Sequence, residues 1–341
     1  MFFTADEMSD VARFYAARDD AAATPLRRLP GLAAALRAGE ILIKDESERF
    51  GLPAFKIAGA RYAVARLIEE RGTDVGDLAC ATAGNHGRAV ARVAREHARP
   101  AHVYVPDSTP SASLAALQRE GADVILCDTG YDATVERMAH DAACNGWTVV
   151  SDTAATGDRE IPRWIMAGYT LIFEEAAAAW GDAPPDVVIA QAGVGSFAGA
   201  LAGWLIARYG GGGPRLVIAE PAGSACVLAS LNAGHPVTLA ECAPTAMACL
   251  RCGVVSPLAW PPLRDRADAA IAVDDAANAA TIDRLARPAN GDPVILAGPS
   301  GACGVAALVA LAHDQELAAV GRALALPRAA RYLAFVTEGR L

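Results

Sequence analysis

The chain has 341 residues, 53% of them hydrophobic, 20% charged and 6% aromatic, which excludes disordered, collagenous and coiled-coil compositions. At roughly 150 residues per domain, that length suggests two domains or one large α/β body. Thirty basic against 39 acidic residues give a formal charge of −9, which argues against a surface for nucleic acid or anionic membrane, since either needs clustered Lys and Arg.

From the start of the chain, Asp6 and Glu7 stand where a secretory signal would carry a basic start and an apolar run, so secretion is not indicated. The eight cysteines are scattered through a chain too large to need staples, which reads as a reduced, cytoplasmic protein. Short apolar runs predict strands at 41–44, 78–82, 102–105, 124–127, 148–151, 187–190, 216–219, 294–296 and 332–336. Helical spacing falls between them, at 57–70, 88–96, 111–120, 131–143, 162–179 and 276–285. Strands alternating with helices imply right-handed crossovers and mostly parallel sheets covered on both faces. The uncharged stretch 187–207 is long enough to span a membrane, but its glycines divide it into a β-branched start and a helix-like end. A buried strand, a glycine turn and a buried helix are expected there. The run Gly210-Gly211-Gly212-Gly213-Pro214 reads as a loop.

Four loops carry candidate chemistry. Lys56 lies in Phe50-Gly51-Leu52-Pro53-Ala54-Phe55-Lys56-Ile57, at a predicted helix start between two apolar residues. A cation is disfavoured at that end of a helix dipole, and desolvation would free the amine for Schiff-base chemistry. Only Lys44 and Lys56 are lysines, so an arginine-rich chain keeps a primary amine here; chance survival of two lysines is the alternative. Thr82-Ala83-Gly84-Asn85-His86-Gly87 follows a predicted strand and opens a helix. Such a turn presents N–H groups that can hold a carboxylate, although Asn85 could be a simple cap and His86 a packed, satisfied imidazole.

Gln191-Ala192-Gly193-Val194-Gly195-Ser196-Phe197-Ala198-Gly199 reads GxGxxxG, one residue longer than the dinucleotide fingerprint and without an acid at the expected distance. It suits either one phosphate monoester at a helix start or plain strand–helix packing. Cys249-Leu250-Arg251-Cys252 lacks a second pair or metal-spaced histidines, so no metal is expected and small buried side chains are the reading. Gly298-Pro299-Ser300-Gly301 again precedes a helix, with Ser300 either an N-cap or a ligand group. In an open α/β sheet such loops share the carboxyl ends of the strands, and a phosphate, a reactive amine and small polar groups together describe pyridoxal phosphate.

The residues resemble the fold type II, tryptophan synthase β-like pyridoxal-phosphate enzymes, most closely the diaminopropionate ammonia-lyase branch. The likeness is colinear from about Thr24. It runs through Lys44-Asp45-Glu46-Ser47, Ala54-Phe55-Lys56, Gly84-Asn85-His86-Gly87, Asp152-Thr153-Ala154, Trp164-Ile165-Met166, Gln191 to Gly195, Glu220-Pro221, Ser300-Gly301-Ala302 and Thr337-Glu338-Gly339. The resemblance implies an α/β fold of two open, mostly parallel twisted sheets flanked by helices, with pyridoxal 5'-phosphate in a cleft between two domains. The large domain would be 1–86 with 161–341, and the small one 87–160 inserted in it.

Residue by residue, it implies that Lys56 bonds the cofactor and takes the Cα proton, that Asn85 meets the ring hydroxyl, and that Ser300 faces the pyridine nitrogen. Gly193, Val194, Gly195 and Ser196 would hold the phosphate; Thr82, Ala83, Gly84 and His86 would line the substrate. Asp152 would stand by the substrate's β-amino group, or else cap the turn that follows it. A homodimer is implied, with a small amino acid as substrate and neither nucleic acid nor membrane as partner. Ala83 departs from the branch, which has an acid there that acts on the D-isomer, and its absence predicts L-selectivity or a different β-leaving group. Gly298-Pro299 departs as well, replacing a more typical acidic step. The expected activity is α,β-elimination from a small β-substituted L-amino acid, giving a keto acid and ammonia. The alternatives are β-replacement, dehydration of serine, threonine or hydroxyaspartate, and a non-catalytic cofactor-binding homologue.

Overall fold

The computed structural model describes residues 2–154, 158–289, 291–313 and 318–340. Packing divides the chain into two compact units, Met1–Phe55 with Tyr169–Leu341, and Lys56–Gly168. The boundaries lie at 55/56 and 168/169, against the 86/87 and 160/161 expected from the sequence.

The chain opens with α1 (Ala5–Ala16), whose Thr4 and Glu7 form a reciprocal capping box. Then come β1 (Leu26–Arg28), α2 (Pro30–Leu36) and β2 (Glu40–Asp45). The smaller unit runs through α3 (Lys56–Arg71), β3 (Leu78–Ala81), α4 (Asn85–Glu96), β4 (Ala101–Pro106), α5 (Ser111–Arg119), β5 (Asp123–Cys127), α6 (Tyr131–Asn145), β6 (Thr148–Val149) and α7 (Glu160–Gly168). The larger unit resumes with α8 (Thr170–Ala179), β7 (Val187–Gln191), α9 (Ser196–Tyr209), β8 (Arg215–Pro221), α10 (Cys226–Ala233), α11 (Trp260–Arg266), β9 (Ala269–Val273), α12 (Asp275–Ala286), α13 (Pro299–His313), α14 (Ala318–Ala323) and β10 (Arg331–Val336).

The larger unit's sheet has the order β1-β2-β10-β7-β8-β9, parallel except for the antiparallel edge strand β1. The smaller unit's sheet, β5-β4-β3-β6, is wholly parallel. Strands β7 and β8 are buried almost throughout, as parallel strands covered by helices on both faces must be. Val187, Ile189, Val217 and Ala219 pack with Ala302, Val305 and Leu308 of α13 in one core. The uncharged stretch therefore resolves as β7, a glycine turn and α9, and no helix among the described residues is long and apolar enough to cross a membrane.

Three features of the sequence reading are corrected. Residues 294–296 form no strand: Ile295 N donates to Leu285 O (2.9 Å), while Val294 and Leu296 are more than half exposed. Asp292 instead caps α2 through the N–H groups of Gly31 and Leu32, which ties this run to a helix start. The sheet edge goes to β9, whose Ala-Ala-Ile-Ala-Val composition has little β-propensity of its own. The helix expected over 162–179 is two, α7 and α8, meeting at Tyr169; Gly168 sits where a Cβ would lie 2.5 Å from the Ala58 carbonyl oxygen. In the CxxC segment, Cys249 is exposed and Cys252 half-buried, so neither is a core side chain.

Candidate active site

In the smaller unit, α3 begins at Lys56 itself, with Ile57 fully buried behind it. Lys56 Nζ donates to Asp152 Oδ2 at 2.5 Å, and both side chains are about one-fifth exposed (21% each). The amine is thus ion-paired rather than isolated in an apolar pocket. Asp152 follows β6, and the side chain that bonds the Thr153 N–H is that of Ser151 (3.2 Å), which leaves Asp152 facing the lysine. Burial opposes the carboxylate's charge, but the Lys56 ammonium outweighs it and holds Asp152 well below the usual carboxylate range. The Cys80 thiol behind it is pushed up to about 12 by burial and by the Asp152 charge.

The turn from β3 to α4 carries the second set of residues. Gly84 N donates to Thr82 Oγ1 (3.2 Å), and Gly84 is the N-cap of α4, so Asn85 is a first-turn residue and not the cap. This helix starts three residues before the sequence reading placed it, so Asn85, His86 and Gly87 belong to its first turn. His86 is buried, with Nε2 2.8 Å from Val150 O, which makes Nε2 the donor and Nδ1 the acceptor. Nδ1 has no hydrogen-bond partner among the described residues. Burial lowers the imidazole's pKa, so the ring stays neutral. The satisfied histidine of the sequence reading is therefore satisfied at one nitrogen. Ala83 stands half-buried in this turn, between Thr82 and Gly84.

In the larger unit, Gln191 ends β7 and Gly195 caps α9 with φ +90°, a left-handed conformation that glycine adopts without strain. A Cβ there would also stand 3.0 Å from Leu263 Cδ1, and one at Gly193 would stand 3.1 Å from Cys252 Sγ. Ser196 is the first residue of this 14-residue helix, whose opening N–H groups and dipole favour an anion. Ser300 lies in the first turn of α13, nearly fully buried. Its Oγ accepts from Cys249 N (3.1 Å) and its N donates to Glu338 Oε1 (2.9 Å). Because an N–H occupies the oxygen, the hydroxyl hydrogen is left for an acceptor, and an N-cap role is displaced.

Sequence reasoning missed what fixes this arrangement. Gln191 Nε2 lies within bonding distance of Gly301 O (2.9 Å), Thr337 Oγ1 (2.8 Å), Phe335 O (3.3 Å) and Ser300 O (3.4 Å). One amide thus ties the ends of β7 and β10 to the start of α13. Glu338 backs the same turn, since a Cβ at Gly301 would lie 2.3 Å from its carbonyl oxygen. The available signals were Gln191 at the head of its glycine block and the Thr337-Glu338-Gly339 block, neither with a role attached to these residues.

Each unit carries groups that fit pyridoxal phosphate: a primary amine in the smaller, and in the larger a helix start opened by closely packed glycines and a buried hydroxyl free to donate. A family model described as pyridoxal-phosphate dependent enzyme matches residues 17–326. Diaminopropionate ammonia-lyase of Escherichia coli (strain K12) is 36% identical over 334 residues, covering 93% of this chain and 84% of that protein. The enzyme of the same name from Salmonella typhimurium is 35% identical over 358 residues, covering 97% and 88%. The crystal structure of the E. coli enzyme with an aminoacrylate-PLP azomethine reaction intermediate superposes with a TM-score of 0.90, at 34% identity and over 99% of this chain and 90% of that one. The match of the family model over most of the chain, the two full-length relatives and the shared fold agree, and the chain belongs to the pyridoxal-phosphate-dependent enzymes of fold type II.

Proposed function

We propose that the protein is a pyridoxal-phosphate-dependent ammonia-lyase that eliminates the β-substituent of a small L-amino acid, with 2,3-diaminopropionate as the preferred substrate and a keto acid and ammonia as products. The observation that carries this reading is the Lys56–Asp152 pair, a base and an ionised carboxylate 2.5 Å apart. Pyridoxal phosphate, when bound, withdraws electrons from the substrate's Cα. Lys56 takes the Cα proton on its amine. Asp152, already shaped to hold an ammonium, exchanges that of Lys56 for the β-ammonium of the substrate and keeps the leaving group protonated. Gly193, Val194, Gly195 and Ser196 hold the phosphate, while Asn85 meets the ring hydroxyl. Ser300 would hold the ring nitrogen with its hydroxyl, and a cofactor held in this way would supply the weaker electron withdrawal that suits loss of a β-group. Thr82, Ala83, Gly84 and His86 form the turn that receives the substrate carboxylate.

Keto-acid release across L- and D-diaminopropionate, L-serine, L-threonine and hydroxyaspartate tests the proposal. Fastest turnover of L-diaminopropionate supports it, and a preference for a hydroxy acid would reassign the chain to the dehydratases. Addition of thiol or amine nucleophiles should leave keto-acid yield unchanged, whereas a new amino acid product would mean β-replacement.

Asp152→Asn is expected to lower kcat for diaminopropionate about 10²- to 10⁴-fold while cofactor affinity changes little. Parallel loss of both would assign Asp152 to structure alone. Asp152 has its folded pKa depressed, so it stabilises above the ordinary carboxylate pKa and that share disappears as pH falls below about 4. The variant should accordingly lose less stability on acidification than the parent.

Ala83 removes the acid that would act on the opposite face of Cα. Ala83→Asp is expected to create measurable turnover of D-diaminopropionate, read as pyruvate release, from a parent selective for the L-isomer. Unchanged selectivity in a correctly folded variant would count against this placement. The same proposal includes a cytoplasmic homodimer, for which light scattering should give the mass of two chains.

A further inference from the structure

The smaller unit holds a cationic cluster that the proposed reaction does not use. Arg88, Arg92 and Arg95 stand at i, i+4 and i+7 on α4 and share one helix face. They meet Glu120, the C-cap of α5, which is 6% exposed, and Arg119 precedes it on the surface. Three guanidinium groups therefore stand within 4 Å of one carboxylate, in a chain whose formal charge is −9. Glu120 is within hydrogen-bond distance of Arg92 alone, and Arg95 donates from Nη1 to Arg119 O (2.9 Å) instead. Arg92 reaches Glu120 Oε2 through Nε (2.7 Å) and Nη2 (2.6 Å), whereas Arg88 Nη2 and Arg95 Nη2 stand 3.7 and 3.6 Å from its oxygens, beyond hydrogen-bond distance.

Arg88 is the decisive member. It is nine-tenths buried, and its Nε and Nη1 have no hydrogen-bond partner among the described residues. Buried guanidinium N–H groups without acceptors are rare because their lost hydration is not replaced. The turn beside it is closely packed, since a Cβ at Gly87 would lie 2.8 Å from Thr82 O and 3.0 Å from Leu117 Cδ2. Burial lowers the Arg88 pKa, with the Arg119 and Arg92 charges acting in the same direction and Glu120 opposing them. Side-chain exposure rises from 11% at Arg88 through 22% at Arg92 to 51% at Arg95, which leaves an approach from solvent at the Arg95 end.

From this geometry we infer that the α4–α5 crossing is a binding site for a tetrahedral dianion of the phosphate class, either inorganic phosphate or a small phosphate monoester. Planar forks on Arg88 and Arg95 match two oxygens of such an ion, and its charge offsets the excess of cations around Glu120. The site is separate from the α9 nest and is reached by different residues. Ligation at Arg88 would tighten the first turn of α4, which also carries Asn85 and His86.

The test is a melting experiment on the cofactor-saturated protein. Chloride is replaced by inorganic phosphate in one arm and by glycerol phosphate in another, at constant ionic strength, while the bound cofactor's absorbance is followed. A saturable rise of a few degrees with unchanged absorbance is expected, and Arg88→Gln and Arg95→Gln should each remove most of it. Tighter binding of the ester than of phosphate would identify the monoester as the ligand; equal binding would identify the free ion. An unsaturable rise, a rise that persists in both variants, or one that accompanies cofactor loss would overturn the inference. Arg95 is surface-exposed, so its variant decides the matter should Arg88→Gln fail to fold.

Discussion

Lys56→Ala is expected to abolish the borohydride-reducible adduct between protein and cofactor and to lower kcat by at least about 10³-fold. Two roles rest on one amine, and neither can be taken over by Asp152, a carboxylate that forms no such adduct and whose lowered pKa makes it a poor proton acceptor. Lys56→Arg is the sharper variant. It keeps a cation opposite Asp152, and with it most of the electrostatics of the 2.5 Å pair, yet a guanidinium stays protonated and forms no such adduct. Equal loss in both variants means that the primary amine matters and the charge does not. Persistence of the adduct in either variant, read by mass spectrometry after reduction, would sink the assignment.

Glu175→Gln is expected to cost about 3–5 kcal/mol of stability, although Glu175 belongs to no loop in the proposed chemistry. Lys44, Glu46 and Arg49 are almost completely buried and Glu175 nearly so, two cations balanced by two anions. Lys44 Nζ donates to Glu175 Oε2 (2.5 Å) and Thr24 O (2.7 Å). Arg49 reaches Glu175 through Nη1 (3.0 Å) and Nη2 (2.6 Å), and Glu46 through Nε (2.5 Å) and Nη2 (2.7 Å). Burial opposes the charge on Glu175, but Arg49 and Lys44 outweigh it and lower its pKa. Neutralising it leaves an extra positive charge with nowhere to hydrate. The neighbouring Glu174 provides the contrast: it pairs with Arg208 at the surface (3.1 Å) and accepts from Trp204 Nε1 (2.7 Å) through an oxygen that an amide retains, so Glu174→Gln should change stability by less than about 1 kcal/mol. Urea denaturation midpoints of the two variants check this, and similar small losses would show that the buried quartet is not strongly coupled.

These two cases also show where sequence is legible. Lys56 was visible because its type, its apolar neighbours and its position before a helix are all local. The nest at Gly193–Ser196 was visible for the same reason, as a strand end, glycines and a helix start in one short segment. The partners are not local. Asp152 is 96 residues from Lys56, Glu175 is 131 from Lys44, and Ser300 is 51 from the Cys249 N–H that orients it. No periodicity encodes such pairings; they exist only once the sheets set strand ends side by side. The failures have the same origin. The run 294–296 has strand composition, but the ladder it would need is taken, and alanine-rich β9 becomes a strand because β8 offers it an edge. Lys44 has no role assigned by its local sequence, and its fully buried place against Glu175 is a tertiary fact.

The position of β10 has a consequence for how the larger unit comes into being. It follows all the other strands in the chain, yet it lies third in the sheet, between β2 and β7. A polypeptide made from its N-terminus therefore waits with two strand edges open, on either side of a gap, until residues 331–336 arrive. The apolar β7 and α9 are among the parts that must be shielded during that wait, a moment when chaperone binding or aggregation competes with folding. Cutting the chain before β10 would remove the strand that joins the two halves of the sheet rather than trim its rim, and an unpaired β2 and β7 would be left to find other partners.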